Sequence, residues 1–252
     1  MQEIDLTKSK DVIGAYNSID FSFERKTYTD YGTQYCFNVL DGKIVAGYNI
    51  QLACFRHLRD LQRQGNEDFP YVYSIEAFNR FLKFLSLVPN VDDLSQKLEP
   101  MDWQYFIFAQ LFAWFDLDDV PRFSNIIISI ARSQGKTMIA GICLNFSYLI
   151  EIIGQSNQDF LVSSLNFDQT MKLFTYVKSM MARIIENEPF KSLADETQVQ
   201  LYSREIKSLV DANTIHTISF ESGKFDGKHF KLAVADEVGE LRTDEGISIR
   251  TS

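Results

Sequence analysis

The stretch NIIISIARSQGKT, residues 125–137, decides the fold predicted for this chain. Its first part, residues 125–131, is short, apolar and rich in β-branched side chains, which is typical of a strand buried on both faces of a parallel sheet. Residues 132–135 predict a loop, and a long helix is expected to begin at Lys136. The stretch therefore predicts a strand that turns through a loop into a helix, as in an α/β protein.

The tripeptide Gly-Lys-Thr at residues 135–137 matches the end of the P-loop pattern, but Ile130 stands where that pattern has its first glycine. Backbone N–H groups at the start of a helix bind phosphate oxygens, helped by the helix dipole. Lys136 would neutralise the β- and γ-phosphates of a nucleotide, and the Thr137 hydroxyl would ligate Mg²⁺. Arg132 could bridge γ-phosphate oxygens, or it could form an ordinary surface salt bridge.

A second motif, KLAVADE at residues 231–237, places an acidic pair directly after an apolar strand. In such a Walker B arrangement Asp236 would hold Mg²⁺, and Glu237 would orient and deprotonate the attacking water. An ordinary strand followed by a solvated acidic turn is the alternative. The two motifs together favour the functional interpretation, because ligands bind at the carboxyl edge of the strands in open parallel sheets.

Further apolar segments predict the rest of a sheet flanked by helices. Strands are predicted at residues 159–164, 206–210, 213–220 and 231–235, and long helices from residue 136 and over residues 167–186. Strands that alternate with long helices predict a three-layer α/β core with a mostly parallel, doubly wound sheet.

The first 95 residues predict a mostly helical segment. Gly42 is expected to end the first helix in the left-handed conformation, although a hairpin turn is the alternative there. Ser74 is expected to cap the third helix at its N-terminus. The predicted helices cover residues 28–40, 50–65 and 75–88.

The polar segment 89–100 begins and ends with proline and marks a predicted boundary. We therefore assign residues 1–95 to an N-terminal helical subdomain and residues 96–252 to the P-loop core, which opens with a predicted helix at 101–115. The 252 residues are enough for one large domain or for a core with a smaller appendage.

Bulk composition narrows the possible functions. The net charge of −9 counts against broad nucleic-acid binding by this segment, because proteins that grip DNA over a large surface usually carry a basic excess. Three widely spaced cysteines argue against a disulfide framework or a zinc site and suit a reducing cytoplasm. The histidines have no spaced partners that would make them metal ligands. The N-terminal residues lack the apolar core of a signal peptide. No membrane span is predicted, since polar residues interrupt the most apolar stretch, residues 138–154.

Gln104, shortly before the predicted P-loop strand, is a further candidate. Its amide offers one donor and one acceptor, which can pair with the edge of adenine. A glutamine on an amphipathic helix is more often simply solvated, so the residue alone does not favour the adenine role.

Together these residues resemble the large subunit of tailed-phage terminases. ATPases of that family commonly have an arginine ahead of Gly-Lys-Ser/Thr and lack the first glycine, as does ARSQGKT at residues 131–137. The family also carries an adenine-contacting glutamine shortly before the loop, which Gln104 matches. Residues 159–182 resemble the strand and helix that follow its P-loop, and residues 222–237 its approach to Walker B. The similarity extends upstream to residues 42–47 and 52–61 and so covers nearly the whole chain.

The resemblance implies an ASCE-type P-loop NTPase that binds ATP and Mg²⁺. Glu237 and Arg132 would be the catalytic residues, and Thr137 and Asp236 would hold Mg²⁺. The residues implied to contact ATP are Gln104, Ala131, Arg132, Ser133, Gln134, Gly135, Lys136 and Thr137. A cation from a neighbouring subunit could complete the site, and the candidates are Lys224, Lys228 and Arg204.

The resemblance also implies partners and a place of action. The intact protein would form a homo-oligomeric ring on the portal protein, act with the small terminase subunit, and translocate double-stranded viral DNA into the procapsid. It would work in the host cytoplasm, transiently at the portal, with no membrane partner. The coupling motif and the C-terminal nuclease domain of the family are expected beyond residue 252. A helicase-like P-loop motor and a nucleotide-binding docking module without hydrolysis are the alternatives.

Overall fold

The computed structural model describes residues 10–90, 96–220 and 229–237, together with positions 6 and 93. Contacts divide the chain into two compact units, which are Met1–Lys83 with Glu99–Ile127 and Phe84–Leu98 with Ile128–Ser252. This division differs from the boundary at residue 95, because residues 99–127 group with the N-terminal residues. The helix at the start of that stretch packs against an N-terminal helix, which the proline-flanked segment did not reveal.

The first unit is built from helices and one short two-stranded sheet. Its helices are α1 (Val12–Asn17), α2 (Ser22–Thr27), α3 (Tyr31–Leu40), α4 (Tyr48–Arg63), α5 (Ile75–Leu85) and α6 (Asp102–Phe112). Strands β1 (Tyr71–Tyr73) and β2 (Trp114–Asp116) pair antiparallel. The last two residues of α5 group with the second unit.

Caps explain where two of the predicted helices begin and end. The Asp30 carboxylate accepts a hydrogen bond from Thr33 N at 2.9 Å at the start of α3. Gly42, with φ of +75°, lies in the left-handed region just beyond the end of α3. Ser74 Oγ accepts a hydrogen bond from Ala77 N at 3.1 Å and so caps α5. The predicted ends at Gly42 and Ser74 are both confirmed.

His57 lies in the core of the first unit, where α3 packs against α4 and α6. The His57 side chain is fully buried. Gln110 Nε2 donates to its Nδ1, and its other ring nitrogen faces Thr33 Oγ1, each at 3.0 Å. Burial, together with the charges of nearby arginines, lowers the pKa of His57 to about 3. The ring is therefore neutral near pH 7, and both of its nitrogens have partners.

The second unit combines helices with a five-stranded sheet. Helix α7 (Lys136–Phe146) continues into a π-helical turn at Ser147–Glu151, and α8 (Phe167–Ile184) and α9 (Phe190–Thr197) follow. The strands are β3 (Asp159–Ser163), β4 (Val199–Leu201), β5 (Glu205–Ser208), β6 (Thr214–Thr217) and β7 (Phe230–Ala235). Their order in the sheet is β4-β5-β6-β3-β7.

This sheet is mixed. Strand β3 is parallel to both of its neighbours, β6 and β7. Strand β5 is antiparallel to β6 and to β4, so among the described strands four share one direction and β5 is reversed. The loops that flank β5, residues 202–204 and 209–213, are too short for the crossover that a parallel neighbour would need. The predicted α/β class is confirmed, but the sheet combines parallel with antiparallel pairs.

One face of the sheet carries the core of the second unit. The side chains of Phe160, Val162, Ile206 and Ile215 are fully buried. Helix α8 packs against β3 and β6, and α7 packs against β7. Helix α8 buries a stripe of side chains at helical spacing, which are Thr170, Leu173, Phe174, Val177, Met180, Met181 and Ile184.

Two predicted elements differ in the structure. Residues 125–131 form no strand, and the side chains of Ile126 and Ile127 are 45% and 88% exposed. An apolar run becomes a strand only when a neighbouring strand completes its hydrogen bonds, and no described strand pairs with this run. The helix predicted at residues 101–115 ends at Phe112, because the next residues form β2.

None of the described helices is both long and apolar enough to cross a membrane.

Candidate functional site

The phosphate loop leads directly into α7. Gly135 is the N-cap of this helix and has φ of +79°, a left-handed conformation that glycine adopts without a steric penalty. Its carbonyl oxygen accepts a hydrogen bond from Ile139 N at 2.9 Å, which forms the first helical turn. The first amide N–H groups of α7 have no acceptor within the helix, so they can bind an anion.

Charged and polar side chains surround these amides. Lys136 and Thr137 are the first two residues of α7 and are half-buried, and Arg132 is exposed in the loop. Ser133 adopts φ of +61°, a left-handed conformation that is strained for a residue with a side chain. Within the described ranges, Lys136 and Arg132 form no ion pair with a carboxylate, so their charges are available to a phosphate.

The acidic pair follows the last residue of β7. Asp236 N donates to Ser163 O at 3.0 Å, and Ser164 Oγ donates to Asp236 O at 3.1 Å. The Asp236 carboxylate accepts a hydrogen bond from Glu237 N at 2.9 Å. Glu237 is exposed and has φ of +57°. The end of β3 thus holds the backbone of Asp236, a contact that the sequence did not predict.

The phosphate loop and the acidic pair belong to the same unit, and packing relates them. Helix α7 begins at Lys136 and packs against β7, the strand that ends one residue before Asp236. Since β3 and β7 are parallel, their ends and the acidic pair lie at the carboxyl edge of the sheet, where ligands bind in α/β proteins.

The donor set of this site fits Mg²⁺. The Thr137 hydroxyl and the Asp236 carboxylate are hard oxygen ligands, which Mg²⁺ prefers. In the part of the chain that the structure describes, no three His, Cys, Asp or Glu side chains form a group that could hold a metal. Mg²⁺ in nucleotide sites takes one or two protein oxygens and completes its shell with water and phosphate, so two protein ligands suffice.

Gln104 lies in the first unit and acts as a helix cap. Its Oε1 accepts a hydrogen bond from Met101 N at 2.8 Å, and the residue is 3% exposed. The three-residue spacing from the N-cap is that of a capping box, a signal that the sequence analysis did not use. The hypothesis of a merely solvated glutamine is therefore wrong. The adenine-contacting role stays a prediction.

Glutamate in place of Gln104 separates the cap from nucleotide recognition. Gln104→Glu keeps an oxygen that accepts from Met101 N, so the helix cap should persist, while burial of a carboxyl group at a position that is 3% exposed should lower the free energy of unfolding by about 1–3 kcal/mol. It removes the amide donor, so ATP binding should weaken several-fold in calorimetry if the side chain contacts adenine. Gln104→Met removes both groups and should also destabilise the helix by about 1 kcal/mol. Unchanged ATP affinity in both variants would limit Gln104 to the cap.

The candidate cations for a neighbouring subunit divide into two groups. Lys224 and Lys228 lie outside the described residues. Arg204 lies in the turn before β5, with its guanidinium carbon 5.0 Å from the centre of the Phe167 ring.

His216 Nε2 forms a hydrogen bond with Asp159 Oδ1 at 2.6 Å.

Comparison with known proteins identifies the family. The family "Terminase large subunit, ATPase domain" matches residues 102–252, more than half of the chain. The crystal structure of the HK97 bacteriophage large terminase is similar with a TM-score of 0.49 and 18% identity, over 66% of this chain and 32% of that chain. This chain thus spans about a third of the length of that terminase. A comparison of this chain with curated proteins found no match. Because the family match extends over most of the chain and includes both motifs, the chain belongs to the family of terminase large-subunit ATPase domains.

Proposed function

We propose that this chain is the ATP-hydrolysing motor part of a terminase large subunit, which couples hydrolysis to the packaging of double-stranded viral DNA into a procapsid. One observation carries the proposal. The helix that begins at Lys136 packs against the strand that delivers Asp236 and Glu237 to the carboxyl edge of the sheet. Hydrolysis of a nucleoside triphosphate requires a helix N-terminus that binds phosphate and an acidic pair at the same site.

The residues of the site have distinct roles in this proposal. The amides of the loop, which contains Ala131, Ser133, Gln134 and Gly135, bind phosphate oxygens. Lys136 and Arg132 neutralise the charge that develops on the phosphates. Thr137 and Asp236 would hold Mg²⁺, which would supply charge neutralisation at the phosphates. Glu237 orients the attacking water and accepts its proton.

The partners belong to the same proposal. They are double-stranded viral DNA, the portal protein, the small terminase subunit and further copies of this chain in a ring. The site of action is the host cytoplasm, at the portal of the procapsid. The helical subdomain of residues 1–95 would be an accessory to the motor core.

Calorimetry with ATP and Mg²⁺ tests the nucleotide site. The wild-type chain is expected to bind ATP, and Lys136→Ala should weaken binding at least about 10-fold, because it removes a charged partner of the phosphates. Lys172→Ala is the matched control, since Lys172 is exposed on α8. It should bind ATP as the wild type does. Wild-type affinity in a folded Lys136→Ala variant would contradict the phosphate-loop assignment.

A further inference from the structure

A second cationic surface lies at the same edge of the sheet as the acidic pair. We call it the hairpin patch and define it by Phe167, Lys178, Tyr202 and Arg204. Strands β4 and β7 point in the same direction, because β4 and β6 are both antiparallel to β5 and β6 and β7 are both parallel to β3. The turn after β4, residues 202–204, therefore lies at the carboxyl edge of the sheet, as Asp236 does.

The Arg204 side chain is held in a defined position. Its guanidinium lies over the exposed Phe167 ring. The backbone carbonyl oxygen of Arg204 accepts a hydrogen bond from Thr217 Oγ1 at 2.7 Å, which holds the backbone of the turn. A guanidinium that stacks on a ring keeps the N–H groups of its own plane free for a bidentate anion. Arg204 thus presents a preformed donor edge to solvent at little cost in side-chain entropy.

A second cation and a second ring extend this surface. Lys178 Nζ donates to Tyr202 O at 3.3 Å, which places the ammonium beside the same turn. Tyr202 and Phe167 are 44% and 42% exposed. In the described part of the chain neither Arg204 nor Lys178 pairs with a carboxylate.

Arg204 lies several strands away from the acidic pair of its own chain. Strand β5, which begins after Arg204, is separated from β7 by β6 and β3 in the sheet. Three strand spacings of about 4.8 Å amount to about 14 Å, which exceeds the reach of one arginine side chain. An anion at the hairpin patch would therefore be separate from a nucleotide held beside that acidic pair.

We propose that the hairpin patch binds the phosphate backbone of double-stranded DNA. Two cations beside exposed rings suit a polyanion better than a single small anion, because each contact releases counterions from the nucleic acid. The contact carries no base specificity, since phosphates are the same at every position. The choice of double-stranded DNA as the nucleic acid rests on the proposed function, whereas the phosphate contact rests on the hairpin patch itself.

The test is fluorescence anisotropy with a labelled duplex of about 30 base pairs, over a range of salt concentrations. Arg204→Ala and Lys178→Ala should each weaken binding at least about 10-fold at low salt, as expected for loss of a charged hydrogen bond. Each should also reduce the slope of log K against log salt by about 0.9. Arg183→Ala is the matched control, because Arg183 is exposed on α8, the helix that also carries Lys178, and pairs with Glu186 at 3.2 Å. It should bind DNA as the wild type does.

ATP binding measured on the same samples separates this proposal from the proposed function. Lys178→Ala and Arg183→Ala should bind ATP as the wild type does, since neither residue belongs to the nucleotide site. Equal DNA affinity of Arg204→Ala and Arg183→Ala would overturn the proposal. So would ATP turnover that falls in Arg204→Ala with unchanged DNA binding, because Arg204 would then contact a nucleotide of a neighbouring copy. Absent DNA binding by a wild-type chain that binds ATP would overturn the hairpin patch and leave the nucleotide site standing.

Discussion

Replacing Arg122 with alanine is expected to lower the free energy of unfolding of the first unit by about 3–5 kcal/mol. Arg122 Nη2 lies 2.8 Å from Asp60 Oδ2, and the two side chains are only 13% and 4% exposed. Without the guanidinium, the Asp60 carboxylate remains buried, and the other ion pair that it forms among the described residues is the longer one with Arg63, at 3.8 Å. A buried charge that has lost its close partner costs far more than a surface ion pair, whose loss costs about 1 kcal/mol or less.

Aromatic rings add to this effect. The guanidinium carbon of Arg122 lies 4.7 Å from the centre of the Phe69 ring, and 5.2, 5.1 and 4.8 Å from those of Tyr71, Trp114 and Phe123. Cation–π contacts contribute most where water is excluded, as it is around this pair. A lysine would restore the charge but not the planar stacking, so Arg122→Lys should recover only part of the lost stability.

Urea unfolding followed by tryptophan fluorescence measures this loss. Both tryptophans of the chain, Trp103 and Trp114, belong to the first unit, so the signal reports on that unit. Arg80→Ala is the matched control, because Arg80 is exposed in the same unit. It should change the free energy of unfolding by less than about 0.5 kcal/mol. A loss below about 1 kcal/mol in Arg122→Ala would mean that the pair is solvated and behaves as a surface salt bridge.

Local signals predicted the helices well. The helix before Gly42 and the helix after Ser74 have capping residues that act within a few positions of the chain, so the sequence alone indicates where those helices begin or end. The strands that short apolar runs predict at residues 159–164 and 231–235 are present at 159–163 and 230–235. In each case the information needed lies inside the segment itself.

Long-range pairing was not predictable in the same way. The sequence predicts β2 as the end of a helix, because Trp114 and Phe115 continue an apolar pattern. Only the antiparallel pairing with β1 makes these residues a strand. The run at residues 125–131 is the opposite case, a strand-like composition with no described partner. The reversal of β5 depends on the lengths of two short loops and not on the composition of the strand.

The candidate site divides along the same line. The phosphate loop and the acidic pair can be predicted from the sequence alone, because the residues of each motif are contiguous in the chain. It did not reveal that Gln104 caps its own helix or that Ser163 and Ser164 hold the backbone of Asp236. The second of these contacts joins residues that are distant in the chain, and only the parallel pairing of β3 and β7 brings them together.

Glu237→Gln is expected to lower ATP turnover by about 10²- to 10⁴-fold and to leave ATP binding unchanged. Glutamine has the size of glutamate but cannot accept the proton of the attacking water. The position itself supports a role in chemistry, because Glu237 adopts φ of +57°, a conformation that costs a residue with a side chain about 1–3 kcal/mol. Such strain persists where the surrounding structure imposes it, and here Asp236 Oδ1 holds the Glu237 N–H.

Phosphate release and ATP calorimetry on the same samples, with and without duplex DNA, measure the two quantities separately. Glu196→Gln is the matched control, since Glu196 is exposed on α9, and it should hydrolyse ATP at the wild-type rate. If the wild-type chain binds ATP and Glu237→Gln hydrolyses it equally fast, another group activates the water. If neither chain hydrolyses ATP while both bind it, the described residues form a nucleotide-binding module, and hydrolysis requires more than this chain. A turnover loss confined to Glu237→Gln would establish the acidic pair as the hydrolytic centre, because the control changes the same functional group away from the site.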